Sequence, residues 1–348
     1  MKKDNPFTLT FGRQPSEYIS RYENMDMILS TFQADNPISQ AYLIEGIRGS
    51  GKTVLMTAAA NELKKNKEWV VVDLNSTQNL IEDMAMRLID SCKKIPDILK
   101  QGFNVTALGF GVGVNAAQSA QDHISVIEET LASLRKKGKK VLITIDEVQH
   151  DENMRRLASQ YQIFIRKDYP VYLLMTGLYE HIYAIQNDPA LTFLLRTPKI
   201  SLEPLSLHQI AKQYKKIFTI GDEEAGKLAG ITKGYAFAFQ ALGMLYYEYR
   251  DEMNMDDILS KLDDMLDDFV YKKIWEALSQ KDREIVAAID SEGTKVQQIC
   301  ERVSMTSQVF SKYRERLMKR GIISAPAHGY VALTLPRFEI IAKSYAMF

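Results

Sequence analysis

Residues Gly46-Ile47-Arg48-Gly49-Ser50-Gly51-Lys52-Thr53 match the pattern G-x-x-x-x-G-K-S/T. This octapeptide follows an apolar run at positions 41–44 and precedes a helix-forming segment at positions 54–65. In that context the glycines let backbone N–H groups turn toward an anion, and the following helix adds the positive end of its dipole. The stretch therefore predicts a phosphate-binding loop between a strand and a helix, which is the arrangement that decides the fold class.

The residues of this loop have distinct predicted roles around ATP or ADP and Mg²⁺. Lys52 is expected to neutralise the outer phosphates, and the Thr53 hydroxyl is expected to bind the metal. A side chain at Gly46 or Gly51 would keep the phosphates away from the backbone. The alternative is a glycine-rich turn that holds no ligand. The candidate nucleotide-binding residues of this region are Gly46, Arg48, Gly49, Ser50, Gly51, Lys52, Thr53 and Val54.

The length and composition indicate an ordinary globular protein. A chain of 348 residues is long enough for two or three domains, each with its own core. Its 44 basic and 44 acidic residues balance, so the overall charge favours neither nucleic acid nor membrane. Only Cys92 and Cys300 occur, which suits a reducing compartment and excludes a disulfide framework. No apolar stretch has the length of a signal peptide or a membrane span, so we expect a soluble, cytoplasmic protein with no membrane partner.

Apolar runs alternate with amphipathic segments through the first 205 residues. Continuous rather than alternating hydrophobicity is typical of strands that are covered on both faces. We therefore predict an α/β domain of the P-loop NTPase type at residues 1–205, with a mostly parallel sheet flanked by helices. The predicted strands lie at positions 41–45, 69–74, 141–145, 171–175 and 200–202.

Two adjacent carboxylates, Asp146 and Glu147, follow the predicted strand at 141–145. Asp146 is expected to bind Mg²⁺ opposite Thr53, and Glu147 is expected to polarise the water that attacks the γ-phosphate. On their own, such acids often mark only the point where a buried strand meets solvent. Because a phosphate-binding loop precedes them by roughly 90 residues, the pair favours ATP hydrolysis over binding alone.

Two further polar residues are catalytic candidates beside Lys52, Asp146 and Glu147. Thr176 ends the fourth predicted strand, at the edge where open α/β sheets bind ligands, so its hydroxyl is a candidate partner of the γ-phosphate or of the attacking water. It is equally consistent with an ordinary turn residue. Arg196 precedes the last predicted strand, where an arginine can sense phosphate or reach a neighbouring subunit. A surface salt bridge is the alternative for Arg196.

Other features of the chain say less about function. Residues 107–115 alternate small and bulky side chains, which indicates a short strand or hairpin; a second phosphate loop is the alternative, although the segment has no lysine. The five histidines lack metal-ligand spacing, so no metal besides Mg²⁺ is expected. Helical periodicity at 206–268 predicts a helical lid, and we interpret its acidic run at 251–268 as a solvated helix face.

The segment from 269 to 348 has the pattern of a winged helix-turn-helix domain. Residues 271–348 carry thirteen basic and eight acidic residues, and this surplus of five positive charges favours binding of double-stranded DNA. A winged helix that docks on protein is the alternative. The predicted helices lie at 282–290, 294–303 and 307–320, and the predicted strands of the wing lie at 321–324 and 330–334.

The third predicted helix of this domain has the composition of a helix that lies in a DNA major groove. Val309, Phe310, Tyr313 and Leu317 are predicted to form its buried face. The other positions combine hydroxyl and amide groups that can reach bases with lysine and arginine side chains that can hold phosphates. The candidate DNA-binding residues are Thr306, Ser307, Gln308, Ser311, Lys312, Arg314 and Lys319.

Together these motifs resemble those of prokaryotic AAA+ ATPases that are related to STAND signalling ATPases and to replication initiators, and that end in a winged helix. The resemblance covers nearly the whole chain. Within the N-terminal segment 1–40, residues 11–15 and 18–21 resemble the family's adenine-side motif, with Ser20 in place of the usual glycine. This resemblance implies that Ile19 and Arg21 contribute to the nucleotide site.

Two later segments extend the resemblance. Residues 191–196 are similar to the family segment that ends in an arginine before the final strand, which implies a catalytic role for Arg196. Residues 233–237 resemble the family's Gly-Tyr-Pro signature in the lid, with Ala236 where proline is expected. No sensor arginine of the initiator type follows this signature.

The motifs and the resemblance predict an ATP-dependent switch. ATP bound between the sheet domain and the lid would fix their relative angle, slow hydrolysis would release it, and the winged helix would change its engagement of DNA. The alternative is a STAND-like signalling or scaffold protein, in which nucleotide controls self-association or another assembly and the winged helix contacts only protein. A small-molecule kinase is disfavoured, because a basic winged helix has no role in phosphorylating a metabolite.

Overall fold

The computed structural model of the protein describes residues 4–10, 15, 17–93 and 120–346. Within these ranges the chain forms two compact units. The sheet unit comprises Tyr22–Glu45 and the described residues of 52–201, and the helical unit comprises Gly46–Gly51 with the described residues of 1–21 and 202–348. The predicted strand or phosphate loop at 107–115 and residues 11–14 of the adenine-side motif lie outside the described residues.

The sheet unit is built on five parallel strands. They are β1 (Ala41–Glu45), β2 (Trp69–Leu74), β3 (Lys140–Ile145), β4 (Val171–Gly177) and β5 (Lys199–Ser201). Their order across the sheet is β2-β3-β4-β1-β5, and every neighbouring pair is parallel. The central strands β1 and β4 are buried along their whole length because both faces of the sheet are covered. The predicted parallel sheet is therefore confirmed.

Helices flank this sheet on both sides. On one side Phe32 of the first helix packs its ring against Tyr42, Trp69 and Tyr172, at centroid distances of 5.6, 6.4 and 5.1 Å. The helices are α1 (Tyr22–Gln33), α2 (Lys52–Lys65), α3 (Leu80–Lys93), α4 (Ala120–Lys136), α5 (Glu152–Arg166) and α6 (Tyr179–Gln186), followed by a 3₁₀ helix (Pro189–Arg196).

The register of the parallel strands brings the candidate catalytic residues together. Ile145 at the end of β3 is the partner of Met175 in β4, so Asp146 lies beside Thr176 at the carboxyl edge of the sheet. Ile44, the residue before the last of β1, is the partner of Thr176, and the phosphate loop begins two residues later at Gly46. The carboxyl ends of three adjacent strands thus carry the loop, the two acids and Thr176, as expected for an open α/β sheet.

The helical unit begins with four helices and a π-helical turn. They are α7 (Leu207–Phe218), α8 (Asp222–Thr232), α9 (Ala236–Tyr249) and α10 (Met255–Leu266), and the turn (Asp267–Tyr271) leads into α11 (Lys272–Glu276). α10 buries Ile258, Leu262 and Leu266 at helical spacing, as the amphipathic pattern predicts. Its carboxylates Asp256, Asp257 and Asp264 are exposed, whereas the Asp263 side chain is 19% exposed and pairs with Arg337.

The chain start packs into the helical unit, although the sequence groups residues 1–205 as one sheet domain. Phe7 is buried against the rings of Tyr214, Phe218 and Phe239. Gly243 makes room for it, since a Cβ at that position would lie 2.4 Å from the Phe7 ring. An aromatic side chain with no strand or helix of its own has thus found its core among residues more than two hundred positions away.

The predicted boundary between lid and C-terminal domain, at 268/269, falls inside a helical run that continues from Met255 to Glu276. Residues on both sides of it share one hydrophobic core, in which Tyr235 stacks on Tyr271 and Tyr271 packs on Phe338. Lid and C-terminal domain are therefore parts of a single compact unit. Amphipathic pattern alone does not reveal this, because it shows which face of a helix is buried but not against what.

The C-terminal part of the helical unit combines helices with a three-stranded antiparallel sheet in the order β6-β8-β7. Its elements are α12 (Gln280–Ala287), β6 (Thr294–Lys295), α13 (Val296–Arg302), α14 (Ser307–Lys319), β7 (Ile323–Ser324), β8 (Tyr330–Leu333) and α15 (Phe338–Ala346). Residues 294–295, predicted as helix, pair instead with Val331 and Tyr330 as a strand, and α15 was not predicted. Among the described residues, no helix is both long and apolar enough to cross a membrane.

Candidate nucleotide-binding site

The Asp146 carboxylate is held by two hydroxyl groups in the sheet unit. Thr53 Oγ1 donates a hydrogen bond of 2.8 Å to Oδ2, and Thr176 Oγ1 donates to Oδ1. Thr53 stands in the first turn of α2, directly after the loop, and Thr176 stands in β4. The two predicted metal ligands, Thr53 and Asp146, are therefore adjacent. Their 2.8 Å oxygen separation fits two neighbouring ligands of octahedral Mg²⁺, which lie about 3 Å apart at metal–oxygen distances near 2.1 Å.

Glu147 has a left-handed backbone conformation with a φ of 52°. Such a conformation is unfavourable for a residue with a Cβ and persists where surrounding contacts enforce it. Here the Glu147 N–H donates to Thr176 Oγ1 at 3.1 Å, and the next N–H, of Val148, donates to the Thr176 carbonyl at 2.8 Å. Thr176 is fully buried. It therefore fixes both the Asp146 carboxylate and the turn that directs the exposed Glu147 side chain away from the strand.

Three glycines of the loop are required by its geometry. Gly49 and Gly51 have φ values of +76° and +92°, a region that residues with a Cβ rarely adopt. A Cβ on Gly49 would lie 2.1 Å from the Tyr235 hydroxyl oxygen, and a Cβ on Gly46 would lie 2.7 Å from Ser50 Oγ. Of the two glycines of the sequence pattern, Gly46 thus lies where a side chain would meet Ser50, and Gly51 has a backbone conformation that favours glycine.

The outer side of the loop is bound by donors of the helical unit. Tyr235 donates its hydroxyl hydrogen to the Arg48 carbonyl at 2.6 Å, and the Phe237 N–H donates to the Gly49 carbonyl at 3.1 Å. Arg21 donates from Nη2 to the Ser50 carbonyl at 3.1 Å and from Nη1 to the Glu203 carbonyl at 2.6 Å. Burial lowers the pKa of Arg21, and the nearby charge of Glu203 opposes that shift. Arg21, predicted on the adenine side, here contacts loop backbone.

Two polar side chains of the loop region are buried in a way that suits a bound anion. Ser50 is 6% exposed, and its hydroxyl has no hydrogen-bond partner among the residues that the structure describes. Lys52 is 8% exposed and begins α2, so its ammonium group lies at the positive end of that helix. A buried polar atom without a partner is costly unless a ligand or water satisfies it. The Ser50 hydroxyl therefore fits the predicted phosphate site, and the buried position of Lys52 at the start of α2 suits the role predicted for it.

Arg196 ends the 3₁₀ helix and is exposed, next to Leu195, which is 56% exposed. Within the described ranges Arg196 makes no ion pair, so the structure does not supply the surface salt bridge that was the alternative. The structure also gives it no contact with Asp146 or Glu147. Ile19, the other N-terminal candidate, is partly buried against the core of the helical unit.

A cluster around Asp188, which the sequence analysis missed, anchors the segment that carries Arg196. Asp188 Oδ1 accepts from the Ala190 N–H at 2.9 Å, which caps the 3₁₀ helix. Oδ2 lies 2.8 Å from His150 Nε2 and 2.6 Å from Arg155 Nε. The hydrogen bond with His150, followed by those with the Ala190 N–H and Arg155, lowers the pKa of Asp188 to about 2. The dipeptide Asp188-Pro189, a common helix start, was the signal available in the sequence.

The third helix of the C-terminal part, α14, presents most of the predicted DNA-binding residues to solvent. Thr306, Ser307, Gln308, Ser311, Lys312 and Lys319 are exposed. The Thr306 hydroxyl also caps α14 by accepting from the Val309 N–H at 3.4 Å. Arg314 is only half-exposed, and its Nε is buried without a partner among the described residues.

The buried face of α14 is narrower than predicted. Phe310 and Leu317 are buried and Tyr313 is half-buried, but Val309 is 46% exposed. Neighbouring residues of a helix point about 100° apart, so Phe310 and Val309 do not both face the core. Arg316, a flanking base in the sequence, pairs with the buried Asp282 at 2.6 Å.

The comparisons with known proteins agree with this geometry. Residues 39–185 match the family of AAA domains. This match identifies positions 39–185 as an AAA domain, and the parallel sheet has the P-loop NTPase fold. Residues 268–340 match a domain of unknown function, DUF8462. A search of curated proteins found no match to the chain.

Two solved archaeal structures share the fold over almost the whole chain. A Walker-type ATPase of Pyrococcus abyssi superposes with a TM-score of 0.66 at 12% identity, over 97% of this chain and 99% of that one. The ORC2 protein of Aeropyrum pernix, in ADPNP–ADP complexes, superposes with a TM-score of 0.59 at 14% identity, over 97% of this chain and 96% of that one. At such identities the likeness concerns the fold.

Proposed function

We propose that this AAA+ protein binds MgATP and hydrolyses it slowly, and that its nucleotide state controls the binding of double-stranded DNA by a C-terminal winged helix. The observation that carries the proposal is the contact between Thr53 Oγ1 and Asp146 Oδ2. It lies directly after a loop in which an added Cβ would clash at Gly46 and Gly49, and in which Gly51 has a φ of +92°. A glycine-rich turn without a ligand would need neither a metal-ligand pair at its end nor a buried lysine at the helix start.

The residues of the chain divide the chemistry between binding and proton transfer. Lys52 and the loop N–H groups hold the phosphates, and Thr53 and Asp146 hold Mg²⁺, which neutralises phosphate charge when bound. Glu147 accepts a proton from water as the water oxygen bonds to the γ-phosphorus, and the bond from that phosphorus to the ADP oxygen breaks. The products are ADP and inorganic phosphate. Thr176 keeps both carboxylates oriented during this step.

Coupling to DNA is supported by the location of the loop in the helical unit, which also contains α14. A Cβ placed on Gly321, two residues after α14, would lie 3.9 Å from the Ile47 Cβ of the loop. Lys233, at the start of the Tyr235 segment, donates to the Leu333 carbonyl of β8 at 3.4 Å. A change of loop conformation on nucleotide exchange would therefore alter contacts in the same packed core that holds the DNA-binding helix. A switch needs a lifetime in each state, which is the reason for slow turnover.

The hydrolysis part of the proposal is tested by Glu147→Gln. This variant keeps the size of the side chain and removes the proton acceptor, so it is expected to bind MgATP and to retain it unhydrolysed. Single-turnover assays with labelled ATP measure both properties. If Glu147→Gln hydrolyses ATP as fast as the wild-type protein, the assignment of the base is wrong.

The DNA part is tested by gel-shift assays with a random-sequence duplex. The wild-type protein with ADP is compared with the Glu147→Gln variant with ATP. Contacts of Lys312, Arg314 and Lys319 with phosphates would make the affinity fall steeply with added salt. The expected result is a nucleotide-dependent, salt-sensitive shift. Equal retention in all nucleotide states would remove the switch from the proposal.

A signalling or scaffold ATPase is the second candidate, and one observation favours it. Val309 and Met318 on α14 are 46% and 40% exposed, and apolar side chains on this helix suit a protein partner better than DNA phosphates. A protein-only role predicts no salt-dependent DNA retention and a change of self-association with nucleotide, which light scattering measures.

A further inference from the structure

Three consecutive carbonyls of the phosphate loop, those of Arg48, Gly49 and Ser50, accept hydrogen bonds from other segments of the helical unit. Their donors are the Tyr235 hydroxyl at 2.6 Å, the Phe237 N–H at 3.1 Å and Arg21 Nη2 at 3.1 Å. These donors come from sequence positions on both sides of the loop. The loop is thus held from outside on three successive peptide groups.

Because these carbonyls point toward their donors, the N–H groups of the same peptides point to the opposite side of the loop. In a planar trans peptide, the C=O and the following N–H point in opposite directions. The N–H groups of Gly49, Ser50 and Gly51 therefore point away from the three donors. The Ser50 N–H donates to the Ile47 carbonyl at 3.2 Å, which closes the turn. Those of Gly49 and Gly51 make no hydrogen bond with any described residue.

The Tyr235 side chain is placed for this contact by the glycines on either side of it. Gly234 has a φ of +76°, and a Cβ there would lie 2.5 Å from the Leu205 carbonyl oxygen. The Leu205 N–H donates to the Gly234 carbonyl at 2.7 Å. Gly49 faces the phenol so closely that no larger residue fits. Tyr235 itself is only 5% exposed. The phenol is therefore locked in one position before any ligand arrives.

We propose that Tyr235 is a positioning residue for the phosphate loop, which presets the Gly49 N–H toward the phosphates of a nucleotide that the phenol itself does not touch. The inference rests on the proposed nucleotide binding and adds to it a determinant in the lid. Without the Tyr235 hydrogen bond, the Arg48–Gly49 peptide has to be ordered when the nucleotide binds, and that ordering reduces the affinity. Phe237 and Arg21 act on the next two peptides in the same way.

The test compares Tyr235→Phe with a matched control, Tyr214→Phe. Tyr214 is also buried in the helical unit, and its hydroxyl donates to the Phe239 carbonyl at 2.7 Å, away from the loop. Each variant loses one buried phenol-to-carbonyl hydrogen bond and keeps the ring. Isothermal titration with MgADP gives the affinity, and the melting temperature of the ligand-free proteins gives the loss of stability.

We expect both variants to melt at a lower temperature than the wild-type protein. Only Tyr235→Phe is expected to bind MgADP more weakly, by about fivefold, which is the cost of ordering the Arg48–Gly49 peptide on binding. Equal affinities of Tyr235→Phe and the wild-type protein would overturn the inference and leave the proposed function intact. An equal loss in Tyr214→Phe would also overturn it, because general loosening of the lid would then be the cause. Absence of MgADP binding by the wild-type protein would overturn both proposals.

Arg21→Lys provides a second variant if Tyr235→Phe does not fold. A single ammonium group does not reproduce the paired hydrogen bonds of Arg21 to the Ser50 and Glu203 carbonyls. The affinity for MgADP is expected to fall in this variant too, because the Ser50–Gly51 peptide, which carries the Gly51 N–H, is then no longer held in place. Unchanged affinity in this variant would contradict the proposal that hydrogen bonds to the loop carbonyls preset the loop N–H groups for nucleotide binding.

Discussion

Thr176 and Asp146 form one hydrogen-bonded pair at the carboxyl edge of the sheet, with the Thr176 hydroxyl donating to Asp146 Oδ1. The same hydroxyl oxygen accepts the Glu147 N–H at 3.1 Å. A single buried oxygen thus links the metal-binding carboxylate to the backbone of the proposed base. This bridging geometry adds to the two roles that the sequence left open for Thr176, a phosphate contact and a turn residue. It leads to the following prediction.

Thr176→Val is expected to lower the rate constant of ATP hydrolysis by about tenfold or more, since a hydrogen bond to a charged group is lost without a change of volume. The affinity for MgADP should change less, because the loop is untouched. Thr176→Ser keeps the hydroxyl and serves as the control that should retain most activity. Steady-state kinetics give kcat and KM for ATP, and calorimetric titration gives the affinity for MgADP. A change in KM without a change in kcat would contradict the positioning of the carboxylates.

Gly49→Ala is expected to abolish measurable nucleotide binding. The new Cβ would meet the Tyr235 hydroxyl at 2.1 Å, and a φ of +76° is unfavourable for alanine. Gly226→Ala is the control: Gly226 lies inside α8, and a Cβ added there would have no atom within 4 Å, so this change should stabilise the fold by roughly 0.5–1 kcal/mol. Calorimetric titration and denaturant unfolding measure the two effects, and normal ADP binding by Gly49→Ala would refute the predicted clash.

Substitutions of Arg316 and of Lys312 are expected to have different effects, the first on stability and the second on DNA binding. Arg316 pairs with the buried Asp282, to which the Ser279 N–H and hydroxyl also donate. Arg316→Ala removes the cationic partner of this carboxylate, and because Arg316 is half-exposed the loss should be about 2 kcal/mol of stability. Lys312 is exposed and has no ion pair within the described chain. Lys312→Ala should therefore leave the free energy of unfolding unchanged and weaken DNA retention; the reverse pattern would exclude α14 as the DNA-binding helix.

The pH dependence of stability is expected to contain a contribution from Asp188. Its pKa is lowered from 3.8 to about 2 in the folded protein, so the folded state favours the carboxylate and gains stability above the unfolded pKa. That gain is lost as the pH falls from about 4 to about 2. In Asp188→Asn the loss should be absent, so the stability difference from the wild-type protein should shrink over this window in denaturant unfolding. A constant difference would mean that Asp188 does not titrate as described.

Much of the fold and the core of the candidate site follow from local patterns. The five strands follow from the sequence because buried parallel strands are continuously apolar. The loop follows because its glycine spacing leaves the backbone open to phosphates, and the positive φ values of Gly49 and Gly51 add a second reason that only the structure shows. The boundary at 268/269 did not follow, because the helical run from Met255 to Glu276 gives no composition change where the core continues. Val309 was wrongly assigned to the buried face of α14, because that face contains one apolar residue fewer than the sequence pattern indicates.

The sequence by itself determined the phosphate loop, the Asp146–Glu147 pair and the polar face of α14, since each depends on residues close together along the chain. Only the tertiary structure decided that Tyr235 bonds the Arg48 carbonyl across 187 residues, and that Thr176 bonds Asp146 rather than solvent. It likewise decided that lid and C-terminal helices share one core. The physical reason is that periodicity and turn chemistry act over a few residues, whereas these contacts are chosen by packing among segments that are distant in sequence.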